Sequence, residues 1–270
     1  MKKVSPPRTE PAKEAASASA PDAASGPAPT LGSLASFQAP LRALIFGASG
    51  GLGAALTEHL RAQPEVGEVF GAARSAEEPW RFTLEDEASI AKVVANASAN
   101  GPLDLVIVAT GLLHAAPLRP EKTWRQLSGE ALMTLFQVNA VGPALIAKHC
   151  LPQLRRDAKA VFAAISARVG SIEDNRLGGW HSYRASKAAL NMLLRNFAIE
   201  LKLSHPQALC VGLHPGTVDT ALSAPFQSAL PPGQLQTPQA SAAALIEVLD
   251  RLSVEDSGRL WAYDGQPIPS

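Results

Sequence analysis

The chain has 270 residues, 24 basic and 24 acidic side chains, and 46% hydrophobic residues. That is long enough for one large domain with a full core. Zero formal net charge gives no electrostatic footprint for nucleic acid or an acidic membrane surface. The two cysteines, Cys150 and Cys210, lie in apolar segments. They read as reduced, buried thiols of a cytoplasmic protein rather than a disulfide framework. No apolar run reads as long enough to span a bilayer.

In chain order, "MKKVS" has no apolar stretch behind it and is not a signal peptide. Residues 1–40 are rich in Pro, Ala and Ser. They bury too little apolar surface to offset ordering entropy, so the expectation is a disordered tail, a spacer or docking segment. Residues 41–270 then form one domain. "LRALIF" reads as a strand ending at glycine, and "GLGAALTEHLRAQ" as a helix. "VGEVFGAA" is a second strand and "WRFTL" a weak third. "EASIAKVVANASA" is helical, and "LDLVIVAT" is a fourth strand. A long helical stretch runs through "LMTLFQVNAVGPALIAKHCLPQL". "KAVFAAIS" is a fifth strand. Residues 181–203 place Leu190, Leu193, Leu194, Phe197, Ala198 and Leu201 at helical spacing. "QALCVGLH" is a sixth strand, "TPQASAAALIEVLDRL" a helix and "GRLWAY" a last strand. Strands that are continuous apolar runs alternating with helices predict an α/β, Rossmann-like, doubly wound parallel sheet covered on both faces.

The first strand runs into "GASGGLG". A strand, glycine turn and helix in this order aim backbone N–H groups at an anion. Gly47, Ser49, Gly50, Gly51, Leu52 and Gly53 are the cofactor-binding candidates here. The spacing is G-x-x-x-G-x-G, and a glycine cluster in isolation is more often a turn. Its position at the predicted first switch point favours the binding reading. After the second strand, where a carboxylate would hold the ribose hydroxyls of NAD, stand Arg74 and Ser75. An arginine pairs with a 2′-phosphate. NADP is therefore expected ahead of NAD, against the plainer reading of a solvated loop arginine.

In "GGWHSYRASKAALN", Tyr183 and Lys187 are four apart. On a helix they share a face, about 5–6 Å apart between Cβ atoms. A free tyrosine titrates near ~10, and a nearby ammonium favours its phenolate. The pair therefore suits proton transfer at a carbonyl oxygen. Tyr-x-x-x-Lys alone is usually a solvated helix face, and it gains weight only beside the glycine loop.

The glycine motif, "QVNAVGP", "YRASK" and "HPGTVDT" stand in one order, and together they resemble the short-chain dehydrogenase/reductase family over residues 41–265. The resemblance implies a Rossmann fold with a seven-stranded parallel sheet and NAD(P)-dependent oxidoreduction. It also implies a homodimer or homotetramer built on the two long helices. It assigns Tyr183 as acid/base and Lys187 as the group that orients the nicotinamide ribose and lowers the tyrosine pKa. Asn139 would hold a water of the proton relay. Pro215, Gly216, Val218 and Thr220 would meet the nicotinamide end and the pyrophosphate.

Three segments depart from the family pattern. The serine that polarises the substrate carbonyl is expected in "AAISARVGS", where one alignment places Ala167. Ser166 is the favoured candidate and Ser171 a further one. The family's "NNAG" reads Val108, Ala109, Thr110, Gly111, and the last three keep backbone contacts to the cofactor. Thr83 stands where an aspartate often meets adenine. The long link "SARVGSIEDNRLGGW" resembles a subgroup with bacterial C-factor and sniffer-type carbonyl reductases. It would put Arg168, Trp180 and His181 near the substrate mouth or in a shaping loop. The histidines show no metal-ligand spacing, so no metal is expected. The apolar segment around 219–238 reads as a mobile lid over a small neutral or apolar carbonyl or alcohol. The expected activity is NADP-dependent carbonyl reduction or alcohol oxidation. Alternatives are reduction of an activated double bond, or an NADP-binding signalling or regulatory protein with little catalysis.

Overall fold

A computed structural model of the chain describes residues 34–270. The strands begin with β1 (Leu41–Phe46), which is followed by α1 (Gly51–Arg61), β2 (Val66–Ala72), α2 (Glu87–Ser98) and β3 (Leu105–Val108). Next come α3 (Gly129–Phe136), a π turn (Gln137–Val141), α4 (Gly142–Cys150) and β4 (Ala160–Ile165). The second half holds α5 (His181–Ser204), β5 (Ala208–His214), β6 (Thr217–Val218) and β7 (Leu235–Gln236). The chain closes with α6 (Pro238–Arg251), β8 (Leu260–Ala262) and β9 (Pro267–Ile268). The main sheet has seven strands in the order β2-β1-β3-β4-β5-β8-β9. All its pairings are parallel except β8 with β9, which is antiparallel.

The apolar strands are continuous because both sheet faces are covered. Successive side chains alternate between faces. Leu44 and Phe46 of β1 enter one core with α2, α4 and α5, while Ala43 and Ile45 enter the other with α1 and α6. In α2, Ile90, Val93, Val94 and Ala97 make the buried stripe, and the Asp86 carboxylate caps the helix by accepting from Ala88 N at 3.0 Å. Each fully buried Leu, Ile, Val or Phe contributes about 1.5–3 kcal/mol over its exposed state. Cys150 and Cys210 are both free and buried.

Several expectations need correction. The weak third strand does not form: residues 80–84 meet the chain just after β2 through a single bridge, Ala73 to Arg81. Their apolar side chains serve the core instead, with Trp80 stacked on Phe70 at 4.9 Å and Phe82 edge-on to Phe46 at 5.0 Å. The seventh strand of the sheet is β9, and it is not parallel. Residues 1–33 of the expected tail lie outside the described residues. The folded body nevertheless starts before residue 41. Leu34 is fully buried and Phe37 nearly so, and both join the core of α1 and α6. Ser36 donates through its N–H and hydroxyl to Asp250 Oδ1, at 2.9 and 2.6 Å. Finally, the helical stretch Gly129–Gln153 is long and apolar enough to cross a membrane. Its apolar residues include Ile146, Ala147 and Cys150, which belong to the core.

Candidate active site

The glycine loop leaves β1 with Gly47 at φ +86, a conformation that favours glycine. A Cβ there would also press on the backbone of Ala109 and Thr110 at 3.0 Å. A Cβ on Gly53 would sit 2.2 Å from the Gly47 carbonyl oxygen, so α1 packs directly on the turn. The Gly51, Leu52 and Gly53 amides open α1 before its first i→i−4 bond, which Ala54 makes to Gly50. Ser49 and Gly50 are exposed at the mouth. Thr220 reaches this loop: its Cγ2 lies 2.8 Å from where a Gly51 Cβ would stand. Thr110 Oγ1 is buried with no hydrogen-bond partner among the described residues, an orphaned hydroxyl beside the loop. A backbone cradle of this kind, with an orphaned hydroxyl at its edge, fits a dinucleotide.

At the end of β2, Arg74 is exposed and has no hydrogen bond or ion pair among the described residues. β3 delivers Ala109, Thr110 and Gly111 next to the loop. Thr83 takes part in the turn before α2, its N–H bonded to Ser89 Oγ at 3.1 Å.

Tyr183 and Lys187 lie in the first two turns of α5, both buried. Lys187 Nζ sits 5.9 Å from the Tyr183 ring centroid and donates to the Ile165 carbonyl at 2.8 Å. Asn139 is fully buried in the π turn, a local distortion frequent at functional sites. A Cβ on Gly111 would lie 3.7 Å from Asn139 Oδ1 and 3.8 Å from Lys187 Nζ, so Gly111 joins the three elements. Asn139 Nδ2 also donates to Ser186 Oγ at 3.1 Å. The expected lowering of the tyrosine pKa is not present in the free chain. Burial pushes Tyr183 up to about 12 and Lys187 down to about 8. Desolvation outweighs the ammonium, and the phenol is held protonated at neutral pH.

Among the described residues Ser166 makes no hydrogen bond to Tyr183. Ala167 is extended, and in extended chain consecutive side chains leave on opposite sides. Ser166 Oγ donates to Asn191 Oδ1 at 2.7 Å. Ala167 is the one that packs with Leu113, Leu135 and Tyr183. Ser171 Oγ donates to the Ser270 carbonyl at 3.3 Å and accepts from Asp174 N at 3.0 Å. Arg168 pairs with Asp174 at 2.9 Å. His181 opens α5, and Trp180 before it adopts φ 50 after two glycines at φ 63 and 66. This left-handed run turns the long link into the helix.

β5 delivers Pro215 and Gly216 at φ +75, where a Cβ would lie 2.4 Å from Gln236 Nε2 and 2.9 Å from the Tyr263 ring. Val218 is buried and pairs with Gln236 across β6 and β7. That pairing ties both ends of the expected lid. Residues absent from the sequence reading also appear. Glu121 is buried, accepts from the Ser182 hydroxyl and accepts from Ser182 N at 3.3 Å, capping α5 from another loop. Phe226 of the lid meets Trp180 at 4.9 Å, and His114 bonds the Leu222 carbonyl at 3.1 Å. His214, whose Nδ1 is buried without a partner, is brought down to about 4 chiefly by burial. No local sequence pattern marks these long-range contacts.

Comparison with known proteins agrees with this fold. The short chain dehydrogenase family model matches residues 42–230, and the chain belongs to that family of NAD(P)-dependent oxidoreductases. C-signal of Myxococcus xanthus is 37% identical over 135 residues, covering 50% of this chain and 75% of that protein. The 1-hydroxy-2-glutathionyl-2-methyl-3-butene dehydrogenase of Rhodococcus sp. (strain AD45) is 39% identical over 132 residues, 48% of this chain and 54% of that one. Within the family, the structure is similar to NADPH bound carbonyl reductase from chicken fatty liver. The TM-score is 0.72 at 27% identity, covering 85% of this chain and 99% of that one. Carbonyl reductase Sniffer of D. melanogaster shares the fold, with TM-score 0.72 at 23% identity over 87% of this chain and 100% of that one.

Proposed function

We propose that this chain is an NADP-preferring reductase of small neutral or apolar carbonyl compounds, with Tyr183 as the acid/base. The observation that carries the reading is the buried group of Tyr183, Lys187 and Asn139 gathered about Gly111. The glycine loop and Thr110 would hold the pyrophosphate side of the cofactor. Pro215, Gly216, Val218 and Thr220 would hold its nicotinamide end. Arg74 would take the 2′-phosphate, which favours NADP over NAD. When bound, the reduced nicotinamide supplies the hydride. Tyr183, protonated at neutral pH, gives its proton to the carbonyl oxygen. Lys187, held by the Ile165 carbonyl, and Asn139 line the route by which the phenol regains it. The apolar walls of Leu113, Leu135, Trp180 and Phe226 exclude water and suit an uncharged substrate.

Exposed Met192, Ile199 and Leu203 on α5, with Met133 and Val141 before α4, support a homo-oligomer formed through the long helices. The test of the reading is NADPH binding followed by NADPH oxidation with a panel of aldehydes and ketones. Binding with carbonyl-dependent oxidation is expected; a protein that binds no nucleotide contradicts it. The match to C-signal favours a second reading, a nucleotide-binding signalling protein. An NADPH-loaded chain that reduces nothing in the panel but engages a partner only when loaded would select it.

A further inference from the structure

We infer that Ala167 restricts this site to electron-poor carbonyls, those with a second carbonyl or comparable withdrawing group attached to the reacting carbon. The inference rests on the reading of Tyr183 as proton donor.

One wall beside Tyr183 is apolar. Leu112, Leu113, Leu118, Leu135, Val169 and Phe226 pack together with it, and Ala167 completes that wall. The nearby hydroxyls are committed elsewhere. Ser166 donates to Asn191, on the opposite side of the extended chain. Ser171 donates to the Ser270 carbonyl. Ser182 donates to Glu121, and Ser186 donates to the Tyr183 carbonyl at 2.8 Å. His114 is bound to the Leu222 carbonyl in the lid. Lys187 is bound to the Ile165 carbonyl. Thr110 lies against the glycine loop instead, with its backbone N 3.0 Å from where a Gly47 Cβ would stand.

A carbonyl oxygen reaching Tyr183 therefore receives one strong hydroxyl donor, not two. During reduction the carbonyl carbon would gain a hydride, which carries two electrons, from the nicotinamide, and the nicotinamide would be left oxidised. The C=O π pair moves to oxygen, and that oxygen takes the phenolic proton of Tyr183. Negative charge develops on the oxygen before the proton arrives. Losing one preorganised donor at such an oxygen typically lowers turnover about 10²–10³-fold. A plain ketone bears that loss in full. In a dicarbonyl the neighbouring carbonyl withdraws electron density, which makes the reacting carbon more electrophilic and the developing alkoxide less basic, so the second donor is needed less. Position 167 is extended, at φ −153 and ψ 145, and its Cβ already packs against the Tyr183 cluster. A serine there would bring the missing hydroxyl to the same side as the phenol.

The experiment is a comparison of wild type and Ala167→Ser with diacetyl and butanone, which differ in one carbonyl. NADPH oxidation is followed for each pair. The variant should raise kcat/KM for butanone by about 10²-fold while diacetyl changes less than about tenfold. A second readout does not depend on turnover. With oxidised NADP bound, the infrared carbonyl band of labelled butanone should lie at lower frequency in Ala167→Ser than in wild type. A butanone rate that is unchanged or lower in the variant overturns the inference, as does an equal gain for both compounds or an unshifted band. If both proteins bind NADPH and reduce neither compound, the carbonyl-reductase reading itself fails, and this inference with it.

Discussion

Asn139 and Leu112 exchange two hydrogen bonds. Leu112 N donates to Asn139 Oδ1, and Asn139 Nδ2 donates to the Leu112 carbonyl, each at 2.8 Å. The side chain thereby behaves as a strand partner, locking the loop after β3 to the π turn. Asn139→Leu leaves both backbone groups of Leu112 without that partner. Each orphaned group costs about 1–3 kcal/mol, so a loss of about 2–6 kcal/mol in chemical denaturation is expected. An unchanged midpoint would show that these bonds contribute nothing net.

A Cβ at position 53 would overlap the Gly47 carbonyl oxygen at 2.2 Å. Gly53→Ala must push α1 away from the loop that presents its amides. NADPH affinity should fall by about tenfold or more, which is about 1.4 kcal/mol, with helix content preserved by circular dichroism. Wild-type affinity in this variant would remove the loop from the binding site.

Arg74 stands exposed at the end of β2, with no partner among the described residues. Hydrogen bonds to a charged group are worth about 1.5–3 kcal/mol. Arg74→Ala should therefore weaken NADPH about tenfold or more while NADH changes little, as read by fluorescence titration. Parallel loss of both nucleotides would assign Arg74 a structural role instead.

Much of this was legible in sequence, for identifiable reasons. The glycine loop and the Tyr183–Lys187 pair sit at fixed offsets from elements with strong apolar patterns, while Asn139 was reached only through the family resemblance. The failures arise where a residue's role depends on a partner far along the chain. Whether Ser166 or Ala167 faces Tyr183 depends on which side the extended chain turns after β4, and a one-residue difference reverses the answer. Glu121 acts on α5 across sixty-one residues, with no local signature. Leu34 and Phe37 were hidden in a Pro, Ala and Ser background, although two apolar side chains suffice to anchor a short turn. The tyrosine pKa was misread because i,i+4 spacing shows the lysine but not the burial of both groups.

Burial lowers Lys187 to about 8, below its unfolded value near ~10.4. Below the folded pKa the chain carries a buried ammonium, and the penalty is fully present. Between about pH 8 and 10.4 the unfolded chain binds more protons, so stability rises with pH and the penalty disappears. Lys187→Met lacks the charge at every pH. Its stability relative to wild type should therefore be greatest near about pH 7 and should shrink by about pH 9.5. Thermal melts of the two proteins at both values check this. A difference that does not move with pH would mean Lys187 is not desolvated.

The most direct measurement is NADPH oxidation by Tyr183→Phe beside wild type, with diacetyl as acceptor and NADPH affinity measured on the same samples. The phenyl ring keeps the packing against Trp180 and Phe226 and removes only the hydroxyl. Affinity should stay within about threefold, and turnover should fall by about 10²–10⁴-fold, the usual contribution of a positioned acid. Wild-type turnover in the variant would contradict Tyr183 as the proton donor, and with it the account of this site.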